Sequence, residues 1–346
     1  MIHLVSLVIH LVSPGTPANK PFVWALERKG SGHGIPRCAL DSRCPLSGST
    51  TAGRGAVTVA VAIATCSDLP DLDEEGQLLR DALRACGVDS QPAVWDQEHQ
   101  WDRFAAVVLR TTWDYFRSIG EFLAWASRIG PRLINPPSMV TWNADKLYLL
   151  ELARNGIPII PTQYVRPGEA FGLPSGQYVV KPAIGAGVND AAAYDQDRIG
   201  AAHAHIRALH AANRAVLIQP YCHRVDSEAE IEVVFIDGEI SHCMRKGPLL
   251  SLDRPIEEGP WREEDMAAGA AEPDMVALAR RVHDLAAARF GFSPLYARVD
   301  AVRDDDGRPV LMELELVEPS LFLQYQQGSA ARLADALARR IRSATC

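Results

Sequence analysis

The stretch Leu295–Pro319, LYARVDAVRDDDGRPVLMELELVEP, decides the reading of this chain. The run up to Arg303 is apolar and β-branched, Asp304, Asp305, Asp306 and Gly307 carry turn chemistry, and Arg308–Val317 alternates again, which predicts two strands joined by a tight turn. Strand side chains alternate between faces, so Arg298 and Asp300 share one side of the first strand and Glu313 and Glu315 one side of the second. A hairpin brings all four together. Three acids and one arginine on a sheet face repel and lose hydration unless something cationic sits among them. Oxygen-only ligands on rigid strands suit Mg²⁺, which keeps some water and completes its shell with substrate phosphates. The competing reading is a solvated hairpin with a surface ion pair. Against it, Glu313 and Glu315 are embedded in VLMELELVEP, too apolar for a strand whose charged face is simply wet. Asp304–Asp306 read only as a polar turn.

The chain of 346 residues is long enough for two or three domains, and 47% hydrophobic with 23% charged residues describes an ordinary globular protein. A net charge of -8 with no basic stretch argues against nucleic-acid binding. Seven scattered cysteines show no CxxC pair and no zinc spacing, which predicts reduced thiols and a cytoplasmic location. No apolar run approaches the roughly 18 residues of a membrane span.

Residues 1–56 have a different character. Met1–Ser13 is apolar without a basic residue ahead of it, unlike a signal peptide, and the stretch to Gly55 is rich in Gly, Pro, Ser, Thr and Arg. The expectation is a disordered or non-native extension. From Val57 the run VTVAVAIAT reads as a buried strand. Asp73 caps a helix through Arg84, stopped by Gly87. Strands near Pro92–Trp95, Ala105–Thr111 and Arg132–Asn135 and a helix at Gly120–Arg128 complete a small open α/β unit over residues 57–140. Ligands collect beyond the carboxyl ends of such strands, which places Arg110, Thr111, Thr112, Trp113, Asp114 and Tyr115 at a site edge or in a covering loop.

Asn143 is expected to cap a helix running through Asn155, with Leu147, Leu150 and Ala153, or Leu149 and Ala153, facing inward. Lys146 falls in its first turn, against the helix dipole, as a solvated lysine or one with an anion nearby. In QYVVKPAIGAGVND, residues 177–190, Lys181 closes an apolar strand, and Gly185 and Gly187 let backbone N–H groups approach a phosphate. No GxxxxGK[ST] occurs, so this is not a P-loop protein. After a helix near Arg198–Ala212 come the strand AVLIQPYC and then Glu228 and Glu230, which lead into EIEVVFIDGEISHCMRK, a hairpin turned at Asp237–Gly238. The last helix, about Ser329–Arg342, carries Leu333, Ala336, Leu337 and Ile341 on one face and is expected to pack on its own domain.

Taken in this order, the pieces resemble the ATP-grasp superfamily. Asp300 and Glu313 lie thirteen residues apart, as in the D-alanine:D-alanine ligase pattern, with Arg298 two before the Asp and a third ligand position two after the Glu. Glu315 stands where that pattern usually has Asn, and Val317, Glu318, Pro319 and Ser320 replace a small-residue loop. The resemblance implies an ATP-grasp fold, α+β in its ATP-binding part, behind an N-terminal open α/β domain. Its central subdomain would span 141–222, and its C-terminal subdomain, with the metal site, 223–346. It implies that Lys146 and Lys181 bind ATP phosphates under a loop from Ala183 to Asp190. Gln219, Pro220, Tyr221 and Cys222 would form the adenine hinge, and Glu230, or else Glu228, would hold the ribose. Arg245 and Lys246 are implied as phosphate or acyl-phosphate contacts, and Arg298 as the oxyanion support. Asp300, Glu313 and Glu315 would hold one or two Mg²⁺, with Mn²⁺ as a substitute.

The implied reaction is carboxylate–amine ligation through an acyl phosphate, giving ADP and phosphate. The phrases LRTTWDY, NPPSMVTWNADKLYLLEL and ELELVEPSLF further resemble a group of cyclo-ligases acting on O-ureido-D-serine. That likeness implies Arg110, Trp113, Asp114 and Ser320 as the lining of an amino-acid pocket. The partner is then a small amino-acid-like molecule, with no nucleic acid and no membrane, and the enzyme is a monomer or homodimer. Two alternatives are an intermolecular dipeptide or amino-acid ligase and an ATP-binding protein without ligase activity.

Overall fold

The computed structural model describes residues 60–250, 252 and 266–345, so the expectation for residues 1–56 lies outside the described residues. Apolar strands between amphipathic helices build the first layer. β1 (Ala60–Thr65), β2 (Asp89–Val94), β3 (Ala106–Thr111) and β4 (Leu133–Ile134) form a parallel sheet in the order β2-β1-β3-β4. Between them run α1 (Glu74–Ala85) and α2 (Ile119–Ile129). The Asp73 carboxylate accepts the Gly76 N–H at 2.8 Å and so starts α1. The helix ends beside Gly87, whose φ of +73° suits a residue without Cβ.

Two short helices, α3 (Pro137–Asn143) and α4 (Tyr148–Arg154), lead to the second sheet. Its strands β5 (Gln163–Val165), β6 (Tyr178–Pro182), β7 (Ala192–Tyr194) and β8 (Val216–Pro220) are antiparallel in the order β5-β8-β6-β7, with α5 (Ile199–Ala211) against β6 and β8. After the single turn α6 (Val225–Glu228) comes the third sheet, also antiparallel: β9 (Glu230–Ile236), β10 (Glu239–Lys246), β11 (Met266–Gly269), β12 (Tyr296–Arg303) and β13 (Pro309–Glu315). Its order is β11-β10-β9-β12-β13, α7 (Pro273–Phe290) packs on β12 and β13, and α8 (Ser329–Thr345) ends the described chain. The hairpin registers follow the turn chemistry. Asp237–Gly238 turns β9 into β10, and the Gly307 N–H donates to Asp304 O at 2.8 Å between β12 and β13. Arg298 faces Glu315 and Asp300 faces Glu313 across the second hairpin.

Three local expectations change in the tertiary structure. The helix predicted from Asn143 is broken at residues 144–147, because Asn143 serves the edge strand β13 instead of capping. Its Nδ2 donates to Leu314 O at 2.8 Å and its Oδ1 accepts the Leu316 N–H at 2.6 Å, while the Tyr148 hydroxyl accepts the Leu314 N–H at 2.9 Å. An edge strand leaves backbone groups unpaired, and two side chains from α3 and α4 supply the missing partners. The break also turns Leu147 outward, 37% exposed, and leaves Leu149 and Leu152 as the buried residues of α4. Finally, α8 does bury Leu333, Ala336, Leu337 and Ile341, but its main neighbour is α1 of the first layer, where Leu79 and Leu83 join the same core. That core also takes in Val234 and Met244 of the third sheet.

Asn143→Ala should therefore lower stability by about 2–6 kcal/mol, since it leaves two buried backbone groups unsatisfied and each costs about 1–3 kcal/mol. A urea unfolding midpoint equal to that of the wild type would show that water or backbone relaxation replaces the amide.

Candidate active site

The cavity lies where the carboxyl ends of the parallel sheet meet the charged face of the third sheet and the Lys181 end of β6. It has a volume of about 510 Å³ and is lined by Lys146, Lys181, Lys246, Arg298, Glu230, Asp300, Glu313, Glu315 and Glu318. Strand alternation places these groups. In β12 it points Arg298 and Asp300 to the same side, and in β13 Glu313 and Glu315.

Pairing across the sheets accounts for most of the charge. Arg298 donates from Nε to Asp300 Oδ1 at 2.8 Å and from Nη2 to Asp300 Oδ2 at 2.8 Å, and Nη2 also pairs with Glu315. Its Nη1 reaches the Ser320 carbonyl at 3.2 Å. Lys246 Nζ meets Glu232 Oε1 at 2.6 Å and Glu230 Oε2 at 3.3 Å. Lys146, expected at a helix start, instead lies in the break between α3 and α4 and is 8% exposed. Its Nζ is 2.9 Å from Glu313 Oε1 and donates to Gly185 O at 3.0 Å. Two groups stay unmatched. Lys181 has no hydrogen-bond or ion-pair partner among the described residues, and burial lowers its pKa despite the attraction of Glu313. The Glu318 carboxylate has none either, and burial pushes it up to about 8 against the pull of Lys146.

Carboxylates outnumber cations here, which bears on a divalent ion. Burial raises the Glu315 carboxyl well above the usual range in spite of Arg298, and Asp300 and Glu313 add to the rise. Among the described residues, oxygen atoms of Glu230, Glu232 and Asp300 lie within 4.8 Å of one another, whereas those of the expected set Asp300, Glu313 and Glu315 do not all do so, and Glu232 Oε2 is buried without a partner. An all-oxygen donor set with surplus negative charge fits a hard cation such as Mg²⁺.

Over 301 residues the chain is 36% identical to the cycloserine biosynthesis protein DcsG of Streptomyces lavendulae, an overlap of 83% of this chain and 98% of that one. The chain belongs to the DcsG family of ATP-grasp ligases. It is an ATP-dependent ligase that forms C–N bonds. A family model for the N-terminal domain of D-cycloserine synthetase DcsG matches residues 61–135. The crystal structure of D-cycloserine synthetase DcsG superposes on the ligase with a TM-score of 0.74 at 32% identity, covering 82% of this chain and 99% of that one. The D-alanine–D-alanine ligase of Bacillus anthracis, solved with ATP, shares the fold at a TM-score of 0.57 and 14% identity, covering 83% of this chain and 100% of that one.

The ligase gathers most of the expected residues around one cavity. Gly185 and Gly187 line it from the loop after β6, and Gln219, Pro220, Tyr221 and Cys222 line it from the end of β8. Gln219 Nε2 donates to Thr162 Oγ1 at 2.8 Å, and the Tyr221 hydroxyl donates to Asp226 Oδ1 at 2.7 Å. Ile160, Val179, Leu249 and Met312 supply apolar walls beside them. Trp113, Asp114 and Ser320 line the cavity as well, the Trp113 indole N–H donating to Glu318 O at 3.1 Å. Glu230 is present too, but faces Lys246 on the acidic sheet face.

Three expected residues point elsewhere. Arg245 occupies the opposite face of β10 from Lys246, because adjacent strand residues alternate, and donates to Glu228 O at 2.7 Å. Glu228 itself pairs with Arg224 away from the cavity. Arg110, 2% exposed, is also outside the lining: it pairs with Glu75 and holds Pro319 O. It braces the wall rather than forming it. Conversely, fully buried Glu232 escaped the sequence reading, although the alternation in EIEVVFI already puts it on the face of Glu230.

Proposed function

We propose that this ligase closes a ring within a small amino-acid derivative of the O-ureidoserine type, activating its carboxylate with ATP. The observation that carries this reading is the unpartnered Lys181 in the same cavity as the Arg298–acid face, which pairs a free anion receptor with a carboxylate-rich metal face. The 36% identity to a cycloserine biosynthesis protein over nearly that protein's whole length supports the cyclising substrate class.

Lys146 and Lys181 would hold ATP phosphate oxygens, with the loop at Gly185 and Gly187 closing over them and residues 219–222 bordering the base. Asp300, Glu313 and Glu315 would hold one or two Mg²⁺, which when bound neutralise phosphate charge. A carboxylate is a poor electrophile. Its oxygen therefore takes the γ-phosphoryl group, releasing ADP and leaving an acyl phosphate as the activated substrate. A nitrogen of the same molecule then attacks the carbonyl, a C–N bond forms, the nitrogen loses its proton and phosphate departs. Arg298, at the cavity wall by Ser320 O, would support the oxyanion that develops. Relatives of this fold are solved with ATP or with Mg and ADP.

ADP release is the direct test. With Mg²⁺, ATP and O-ureido-D-serine as sole carboxylate, ADP should form without any added amine. A strict requirement for a second amino acid would replace cyclisation with intermolecular ligation.

A further inference from the structure

One buried carboxylate of the cavity has neither a partner nor a task in the chemistry above. Glu230 and Glu232 pair with Lys246, Asp300 and Glu315 with Arg298, and Glu313 with Lys146. Glu318 lines the same cavity at 8% exposure, and its carboxylate has no hydrogen-bond or ion-pair partner among the described residues. A buried, unpaired carboxylate is unfavourable in the free protein, so a fold that keeps one has left a place for a positive charge.

The segment carrying it is held in place from several sides. Tyr296 Oη donates to Val317 O at 2.9 Å, the Trp113 indole to Glu318 O at 3.1 Å, and Arg298 Nη1 to Ser320 O at 3.2 Å. Arg110 donates to Pro319 O, and Glu75 Oε2 accepts the Leu323 N–H at 3.2 Å. Every one of these contacts fixes the main chain and leaves the Glu318 carboxylate unused. Trp113 and Tyr115 also line the cavity.

We infer that Glu318 is the receptor for the ammonium group of an amino-acid-like substrate, and so orients that substrate with its carboxylate towards Arg298 and the phosphates. This rests on the ligase reading above. An amino acid brings one anionic and one cationic end. The lysines and Arg298 serve the first, and Glu318 is the acid left for the second. It makes this residue a determinant of specificity for amino acids over simple carboxylic acids.

Steady-state ADP release separates this role from its rivals. In Glu318→Gln, which keeps shape and removes charge, the KM for O-ureido-D-serine should rise on the order of 10²-fold, as when one member of a buried charge pair is lost. The KM for ATP and the Mg²⁺ dependence should be unchanged, and the melting temperature of the substrate-free variant should not fall. The same ureido acid with hydrogen in place of the amine should be a poor substrate of the wild type and equally poor in the variant. Three results overturn the inference: an unchanged KM for the amino acid, a shift in Mg²⁺ or ATP dependence in its place, or equal use of the amine-free acid by the wild type. In each of these the ligase reading stands. Absence of ADP release with every carboxylate tried, with or without an amine, instead removes the ligase reading and this inference with it.

Discussion

Arg298→Met should lower ADP formation by at least about 10²- to 10³-fold, the range seen when a donor to a developing oxyanion is removed. It should also destabilise the fold by about 3–5 kcal/mol, the usual result of deleting one partner from a buried ion pair. The guanidinium holds both oxygens of Asp300, which is 2% exposed, and pairs with Glu315, so its loss strands two carboxylates on one sheet face. The loss depends on pH in a defined direction. Burial already holds the Asp300 and Glu315 carboxyls above their ordinary range, and a carboxyl raised in the folded state brings no penalty below its unfolded pKa of about 4. The penalty grows as pH rises towards the folded pKa, and removing Arg298 raises that pKa further. The stability gap between variant and wild type should therefore be wider at neutral pH than at pH values near 4, as read from urea midpoints. A gap independent of pH would mean that Arg298 stabilises by packing, for instance on Phe322, whose ring centroid lies 5.6 Å from its Cζ.

Lys181→Met should behave in the opposite way. Lys181 has no partner among the described residues, and burial disfavours its charge, so replacing it with an apolar side chain of similar length should leave the melting temperature unchanged or raise it. The KM for ATP should rise on the order of 10²-fold, because the phosphates lose a desolvated cation. Nucleotide titration and thermal unfolding on the same sample decide the matter. A large loss of stability with unchanged ATP affinity would make Lys181 a structural charge and end its proposed phosphate role. The two variants together distinguish a cation that the protein needs for itself from one held for a ligand.

The same distinction shows how far the sequence could be read. The Asp237–Gly238 turn, the Asp304–Gly307 turn and period-two alternation are local properties, and together they assign Arg298, Asp300, Glu313 and Glu315 to facing positions before any tertiary contact is known. The Asp73 cap and Gly87 stop of α1 are legible for the same reason. The Asn143 amide has two uses, a helix cap or a bridge to an edge strand, and only the position of β13 selects the second. Arg110 stands at a strand end, where a substrate contact is expected. Its neighbour Glu75 comes from α1, 35 residues earlier in the chain, and draws the guanidinium behind the wall.

By itself, then, the sequence determined many of the strands and helices, the faces of the strands that carry the acids and the charged hairpin, since these follow from backbone geometry over a few residues. Only the tertiary structure decided which charges neutralise one another and which do not. Lys146 meets Glu313 and Lys246 meets Glu232 through the packing of separate elements and sheet pairing, and Lys181 and Glu318 are left over. An unpaired buried charge is defined by what fails to reach it, and that is a property of the whole fold, not of any stretch of chain.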